Sequence, residues 1–270
     1  MDQKQKAEAF RAMHHAPELL VLPNAWDAVS AKVLQQAGFP AIATASASVS
    51  WTRGVRDGEG LTRQEMVDAV LLIADAVDVP VSADIEKGFG DTPGEVFETV
   101  AKVIAAGAVG INIEDSLDGG QRAIAAMQAR IAAAKSAGES ATVPVVINAR
   151  VDAYLQGKSG EAVYADTLAR AAAWFEAGAD CVFVPGAKDR DLIARLSADI
   201  DGPLNVIVMD ETTLSVAELQ SLGVARISTG PRLMQAVIGS LQQAARSIRE
   251  DGDFRFLKGA ASFGEINGLF

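Results

Sequence analysis

The stretch Thr99-Val100-Ala101-Lys102-Val103-Ile104-Ala105-Ala106-Gly107-Ala108-Val109-Gly110-Ile111-Asn112-Ile113-Glu114-Asp115 carries the pattern from which the fold is read. Its first half is helix-forming and stops at Ala105-Ala106-Gly107, where the glycine fits a helix C′ position that needs positive φ. The run Gly110–Glu114 follows at once and is mostly apolar, on both of the faces a strand would present. A strand buried on both faces, placed directly after a helix, belongs to a parallel sheet of alternating strands and helices. The same helix ending recurs at Gln36–Gly38, Glu176–Gly178 and Ser221–Gly223.

Working outward, eight short apolar runs recur: Leu20–Leu22, Ala41–Thr44, Val81–Asp84, Gly110–Glu114, Val145–Ala149, Cys181–Val184, Val206–Met209 and Arg226–Ser228. Helix-forming stretches lie between and after them at Thr62–Val77, Pro93–Ala106, Gln121–Ala137, Glu161–Ala177, Ser215–Leu222 and Arg232–Arg249. Eight repeats without a domain-breaking linker predict one closed (β/α)8 TIM barrel over residues 1–270, with 251–270 as a C-terminal extension. The alternative is a doubly wound open sheet. A dinucleotide fold is disfavoured, because no GxGxxG opens a helix after the first strand; Gly88 and Gly90 fall in a loop.

Composition narrows the chemistry. The chain has 35 Asp plus Glu against 24 Lys plus Arg, a formal charge of -11, which argues against a nucleic-acid footprint and against adhesion to an anionic membrane. The N-terminus lacks the apolar core of a signal peptide, and no long uncharged apolar stretch appears, so a cytoplasmic location is expected. Cys181 is the only cysteine, and the two histidines, His14 and His15, are neighbours near the N-terminus. An internal disulfide and four-ligand Cys/His zinc sites are excluded. Any enzymatic chemistry is expected to run on carboxylates, basic side chains and a hard metal ion.

In a barrel the site forms at the C-terminal ends of the strands, and here those ends are polar. Strand three supplies Asp84 and Glu86, strand four Asn112 and Glu114, and strand five Asn148 and Arg150. Asp84, Glu86 and Glu114 converging from neighbouring strands would repel one another unless a cation or protons intervened. All-oxygen ligation suits Mg2+, or Mn2+; the alternative is ion pairing with Arg150, Lys87 or another rim arginine. Arg150 suits a bidentate grip on a substrate carboxylate, or else a fixed pair with Glu114. Ala45, Ser46 and Ala47 can bring backbone N–H groups and a hydroxyl to an anionic oxygen. Trp51 is read as a pocket wall or loop core, and Cys181 as an inert buried residue.

These segments resemble the isocitrate lyase / phosphoenolpyruvate mutase superfamily over essentially the whole chain. The resemblance rests on Leu22-Pro23-Asn24-Ala25-Trp26-Asp27, Gly54-Val55-Arg56-Asp57, Ala83-Asp84-Ile85-Glu86-Lys87-Gly88-Phe89-Gly90-Asp91, Gly110-Ile111-Asn112-Ile113-Glu114-Asp115, Asn148-Ala149-Arg150-Val151-Asp152-Ala153 and Val224-Ala225-Arg226-Ile227-Ser228-Thr229-Gly230-Pro231. It implies a Mg2+-dependent barrel acting on small α-keto or α-hydroxy acids. By the resemblance Asp84 is the principal metal carboxylate, with Glu86 and Glu114 reaching the ion directly or through water. Arg150 holds the substrate carboxylate, Ala45–Ala47 hold the keto-acid end, and Asp57 lies on the substrate-facing turn. The family also implies a homodimer or homotetramer with an exchanged C-terminal helix.

One departure stands out. The lyases of that family carry a Lys-Lys/Arg-Cys-Gly-His run after the strand-four Glu-Asp, whereas this chain reads Glu114-Asp115-Ser116-Leu117-Asp118-Gly119-Gly120 and then moves into helix. With no Cys, His or Lys there, the acid/base candidates are Asp57, Glu86 and Lys87. The expected activity is a C–C lyase or decarboxylase working on a small keto or hydroxy dicarboxylate through an enolate. The alternatives are P–C bond hydrolysis or mutation of a phosphonopyruvate-type substrate, and keto-acid binding with little turnover.

Overall fold

The computed structural model describes residues 1–270. Its strands are β1 (Leu20–Leu22, resumed beyond Pro23 as Asn24–Ala25), β2 (Ile42–Thr44), β3 (Val81–Asp84), β4 (Gly110–Glu114), β5 (Val146–Arg150), β6 (Cys181–Phe183), β7 (Leu204–Ile207) and β8 (Arg226–Ser228). All pair in parallel, and the two ends of the resulting nine-segment sheet are the two pieces of β1. The first piece pairs with β8 and the second with β2, so the ring closes through Pro23. Proline has no N–H for the ladder, and the Pro23 carbonyl accepts from Ala43 N at 2.9 Å. The result is a near-closed, TIM-barrel-like α/β fold, as expected.

The helices are α1 (Gln3–Met13), α2 (Ala28–Gln36), α3 (Ser46–Thr52), α4 (Arg63–Ala76), α5 (Pro93–Ala105), α6 (Ile124–Ser140), α7 (Glu161–Ala177), α8 (Arg190–Asp199), α9 (Val216–Ser221), α10 (Arg232–Arg246) and α11 (Phe263–Asn267). Capping boxes start α4 at Thr62/Glu65 and α5 at Thr92/Glu95, each satisfying backbone donors that a helix start leaves free. The expected turn glycines hold: Gly107 and Gly178 sit at φ +98° and +103°. No helix is long and apolar enough to cross a membrane.

Three local expectations need correction. Trp51 and its neighbours after β2 form helix α3 and not a loop. Strand β7 begins at Leu204 rather than Val206, because the polar Asn205 is part of it: its amide donates to Ser228 Oγ on β8 at 3.1 Å. The chain after Gly120 does not move straight into a helix at Gln121. Ser116–Leu117 and Gly120–Gln121 make a small antiparallel hairpin before α6 starts at Ile124.

The first helix, which the sequence pattern left unassigned, closes the N-terminal end of the barrel. Phe10 on α1 is fully buried, and a Cβ at Gly110 would lie 2.6 Å from its Cε1, so only glycine leaves it room. The strand register stacks the inward side chains in layers of four from alternate strands. From the C-terminal mouth downward these are Asn24, Asp84, Arg150 and Ile207, then Ala43, Asn112, Phe183 and Ser228. Below them lie Leu22, Ser82, Asn148 and Asn205, and finally Ala41, Gly110, Cys181 and Arg226. Branched apolar residues usually fill such a core; here polar groups run to its floor.

Candidate functional site

A cavity of about 200 Å³ opens at the C-terminal strand ends. Its wall from β1 to β5 is polar, with Ser46, Asp57, Asp84, Asn112 and Arg150. The wall from β6 to β8 is largely apolar, with Phe183, Pro185, Ile207, Met209 and Pro231. The site is therefore two-sided, charged where β3 to β5 end and apolar opposite.

Asp84, the last residue of β3, is fixed on both oxygens. Oδ2 accepts the backbone N–H of Ser46 at 3.1 Å, and Oδ1 accepts the Asn112 amide at 2.9 Å. Asn148 Nδ2 donates in turn to Asn112 Oδ1 at 3.1 Å, so a line of amides runs from β5 to the carboxylate. Thr44 Oγ1 accepts the Asp84 N–H at 2.8 Å. The hard-oxygen Asp84 is thereby held rigidly at the mouth of the barrel.

Glu86 follows two residues later at φ +49°, a left-handed conformation unusual for a side-chain-bearing residue. It is buried, and its carboxylate accepts the Glu59 N–H. Burial, then the charges of Asp84, Asp57 and Glu114, push its pKa up to about 8. Asp57 lies on an exposed turn yet lines the cavity; enclosure and the nearby Asp84 raise its pKa as well.

Arg150 serves two acids at once. Nη1 meets Glu114 Oε2 at 2.8 Å, and Nε and Nη2 take both oxygens of Asp152. A guanidinium has five N–H donors, so these three contacts leave two for a ligand in the cavity. Burial pushes Glu114 up to about 7, an effect Arg150 opposes and Asp152 reinforces. Behind them Asp115, fully buried, accepts from the Asp152 N–H at 3.0 Å and from Arg170 at 3.1 Å.

Of the residues singled out from the sequence, Ala45, Ser46, Ala47, Asp57, Asp84, Asn112 and Arg150 meet in one cavity. Glu86 lies beside it under Leu61 and Val70, and Asn148 supports it from below. Lys87 and Trp51 are not in its wall; Trp51 is on the exposed face of α3, and Lys87 lies beyond the bend at Glu86. Glu114 pairs with Arg150 at 2.8 Å and accepts the Ser116 hydroxyl. Arg232, at the start of α10, lines the cavity with no carboxylate partner; its guanidinium meets Val208 O and Gln235. The sequence offered a signal for it, a cation directly after Gly230-Pro231 at a strand end.

No three His, Cys, Asp or Glu side chains form a ready-made metal cage. The donor chemistry still fits Mg2+, which is commonly bound through one or two carboxylates and keeps several waters. Asp84 supplies the rigid carboxylate, and Glu86 and Asp57 stand near enough for its charge to help raise the pKa of both.

Comparison with known proteins settles the lineage. The family model for phosphoenolpyruvate phosphomutase matches residues 10–249. The chain belongs to the isocitrate lyase / phosphoenolpyruvate mutase superfamily. Uncharacterized protein Rv1998c of Mycobacterium tuberculosis H37Rv is 38% identical over 246 residues, covering 91% of this chain and 90% of that one. A solved protein of Burkholderia cenocepacia J2315 superposes with TM-score 0.92 at 40% identity, over 99% of this chain and 96% of that one. A phosphonopyruvate hydrolase solved with oxalate and Mg++ superposes with TM-score 0.87 at 29% identity, over 98% and 94%. Superfamily membership supports C–C or P–C bond chemistry on small keto or dicarboxylic acids.

Proposed function

We propose that this protein is a Mg2+-dependent C–C lyase or decarboxylase of a small α-keto or α-hydroxy dicarboxylate. The observation that carries the reading is the convergence of Asp84, the Ala45–Ala47 segment and Arg150 around one cavity. Mg2+ held by Asp84, with Glu86 and Asp57 contributing through water, would polarise the substrate's keto or hydroxy oxygen and steady the enolate left by bond cleavage. The chain's own residues bind and orient: the two free N–H groups of Arg150 take the substrate carboxylate, and Ser46 with its neighbours faces the keto-acid end. Arg232 adds a second cation at the rim, and the Phe183–Met209 wall excludes water from the opposite side. Asp57, protonated more readily than an ordinary aspartate, is placed to exchange a proton with the departing group. The Mg++ and oxalate seen in the phosphonopyruvate hydrolase support a chelating keto-acid ligand.

The hairpin after β4 favours C–C over P–C cleavage. It brings no lysine, cysteine or histidine to the mouth, and Arg122 beyond it is tied to Asp91 at 2.9 Å. Transfer of a phosphoryl group needs cationic stabilisation that this segment does not supply. The test is to incubate the protein and Mg2+ with oxaloacetate, substituted malates and phosphonopyruvate, and to follow products by NMR. Pyruvate or a shorter keto acid from the carbon substrates supports the reading; phosphate release alone replaces it with the P–C alternative. Keto-acid binding without any product leaves a binding protein. Further parts of the proposal are a cytoplasmic homodimer or homotetramer, one barrel domain with 251–270 extending from it.

A further inference from the structure

The barrel floor holds a guanidinium with no carboxylate in ion-pairing contact, the charge of Asp84 reaching it only through the barrel. Arg226, in the lowest layer, is 2% exposed and fully enclosed by the strands. Its partners are Ser228 Oγ, 3.3 Å from Nε, and His14 Nε2, 3.5 Å from Nη1. Neither carries negative charge. His14 Nδ1 lies 2.9 Å from the Phe10 carbonyl, which accepts its proton, and burial beside Arg226 drops the imidazole pKa to about 3, so the ring is neutral. A buried guanidinium left unpaired is costly, and natural cores pair it or provide an anion.

The strand side chains around it are small, and Phe10 takes the room that Gly110 leaves. Ala41, Gly110 and Cys181 share the layer with Arg226, and Ala43 lies above. One layer up, Ser82 is 1% exposed, and its hydroxyl has no hydrogen-bond partner. Both Arg226 and Ser82 line the same cavity as Asp84 and Arg150. A guanidinium without a carboxylate partner and a hydroxyl without any partner thus line the lower end of a cavity whose upper end holds the keto-acid residues.

We propose that Arg226 and Ser82 form an anion subsite that takes the second carboxylate of the substrate. The site then measures its ligand end to end: Arg150 and the Asp84 metal position hold the keto-acid head, and Arg226 takes the tail. This rests on the reading of the mouth as a keto-acid site, and it specifies that the substrate is a dicarboxylate threaded into the barrel, not a monocarboxylate lying across its mouth. A methyl group at the tail would leave the guanidinium unpaired.

The full-length protein, loaded with Mg2+, is titrated calorimetrically with 2-oxovalerate and 2-oxoglutarate, which match in length and differ at the end group. The wild type is expected to prefer 2-oxoglutarate by about tenfold or more, the scale of one charge-assisted contact. In Arg226→Met that preference falls to within about twofold, while 2-oxovalerate binding changes little. Ser82→Ala keeps the fold with one buried hydroxyl removed and narrows the preference by about threefold, which serves if the Arg226 variant does not fold. An unchanged ratio in either folded variant overturns the subsite. Acetate that binds together with 2-oxoglutarate, instead of competing with it, marks a free anion and also overturns it. If neither keto acid binds the Mg2+-loaded wild type, the keto-acid reading itself fails; if both bind equally, only the subsite does.

Discussion

At the scale of single residues, the site is a set of carboxylates and arginines whose charges do not balance evenly. Arg150 answers two acids, Glu114 and Asp152, while Arg226 and Arg232 answer none. Replacing Arg150 by Lys keeps the charge but cannot reproduce the fork on Asp152 together with the bond to Glu114. Keto-acid affinity in Arg150→Lys is expected to fall about tenfold or more, read by calorimetry; unchanged affinity would remove Arg150 from the site. His14 gives a prediction independent of the ligand. Its folded pKa of about 3 lies below the unfolded value of 6.5, so the unfolded chain binds the extra proton and stability is lost as pH falls below 6.5. Between pH 7 and pH 5 the wild type should lose about 2 kcal/mol that a His14→Gln variant does not. Denaturant titrations of both proteins at the two pH values measure this; parallel losses would mean that the imidazole is protonated in the folded chain.

At the scale of elements, the bend after β3 shows how a loop is made rigid enough to present Glu86. Arg130 on α6, 1% exposed, reaches back to the carbonyls of Lys87, Gly90 and Asp91. Arg130→Ala would strand those acceptors and should cost about 3 kcal/mol, with faster hydrogen exchange across residues 86–91. Exchange unchanged in that loop would show that its shape is set by Phe89 and the glycines alone. The strands and most helices were legible because helix-ending glycines and doubly apolar runs alternate throughout. What escaped was set by tertiary partners. Helix α3 lacks a capping side chain and is Ser/Ala-rich, so nothing local marks it, whereas the Ser46 N–H on Asp84 fixes where it starts. Asn205 hid the start of β7, because its amide is satisfied by Ser228, which lies 23 residues on and on the neighbouring strand β8. Asp84 and Arg150 were legible as polar ends of apolar strands; the partnering of Glu114 and the loneliness of Arg226 were not, since both depend on what the neighbouring strands bring.

At the scale of the whole molecule, the barrel is covered by helices except along its C-terminal segment. Helix α10 buries none of its residues, and Val237, Leu241 and Ile248 are exposed on it or just beyond, followed by Phe254, Leu257, Phe263 and Phe270. An apolar surface of that extent marks an interaction site, in keeping with the proposed assembly. Leu241→Asp combined with Phe263→Ser should lower the sedimentation coefficient to that of a single chain; a wild type that already sediments as one chain would remove the assembly. The proposed chemistry stands on the metal-dependent grip at Asp84, and one titration probes that grip. Wild type and Asp84→Ala are each titrated with a keto acid, with and without Mg2+, and their bound metal is measured. The wild type is predicted to bind the keto acid only with Mg2+, and Asp84→Ala to lose both metal and ligand while staying folded. Undiminished metal content and keto-acid binding in Asp84→Ala would contradict the account.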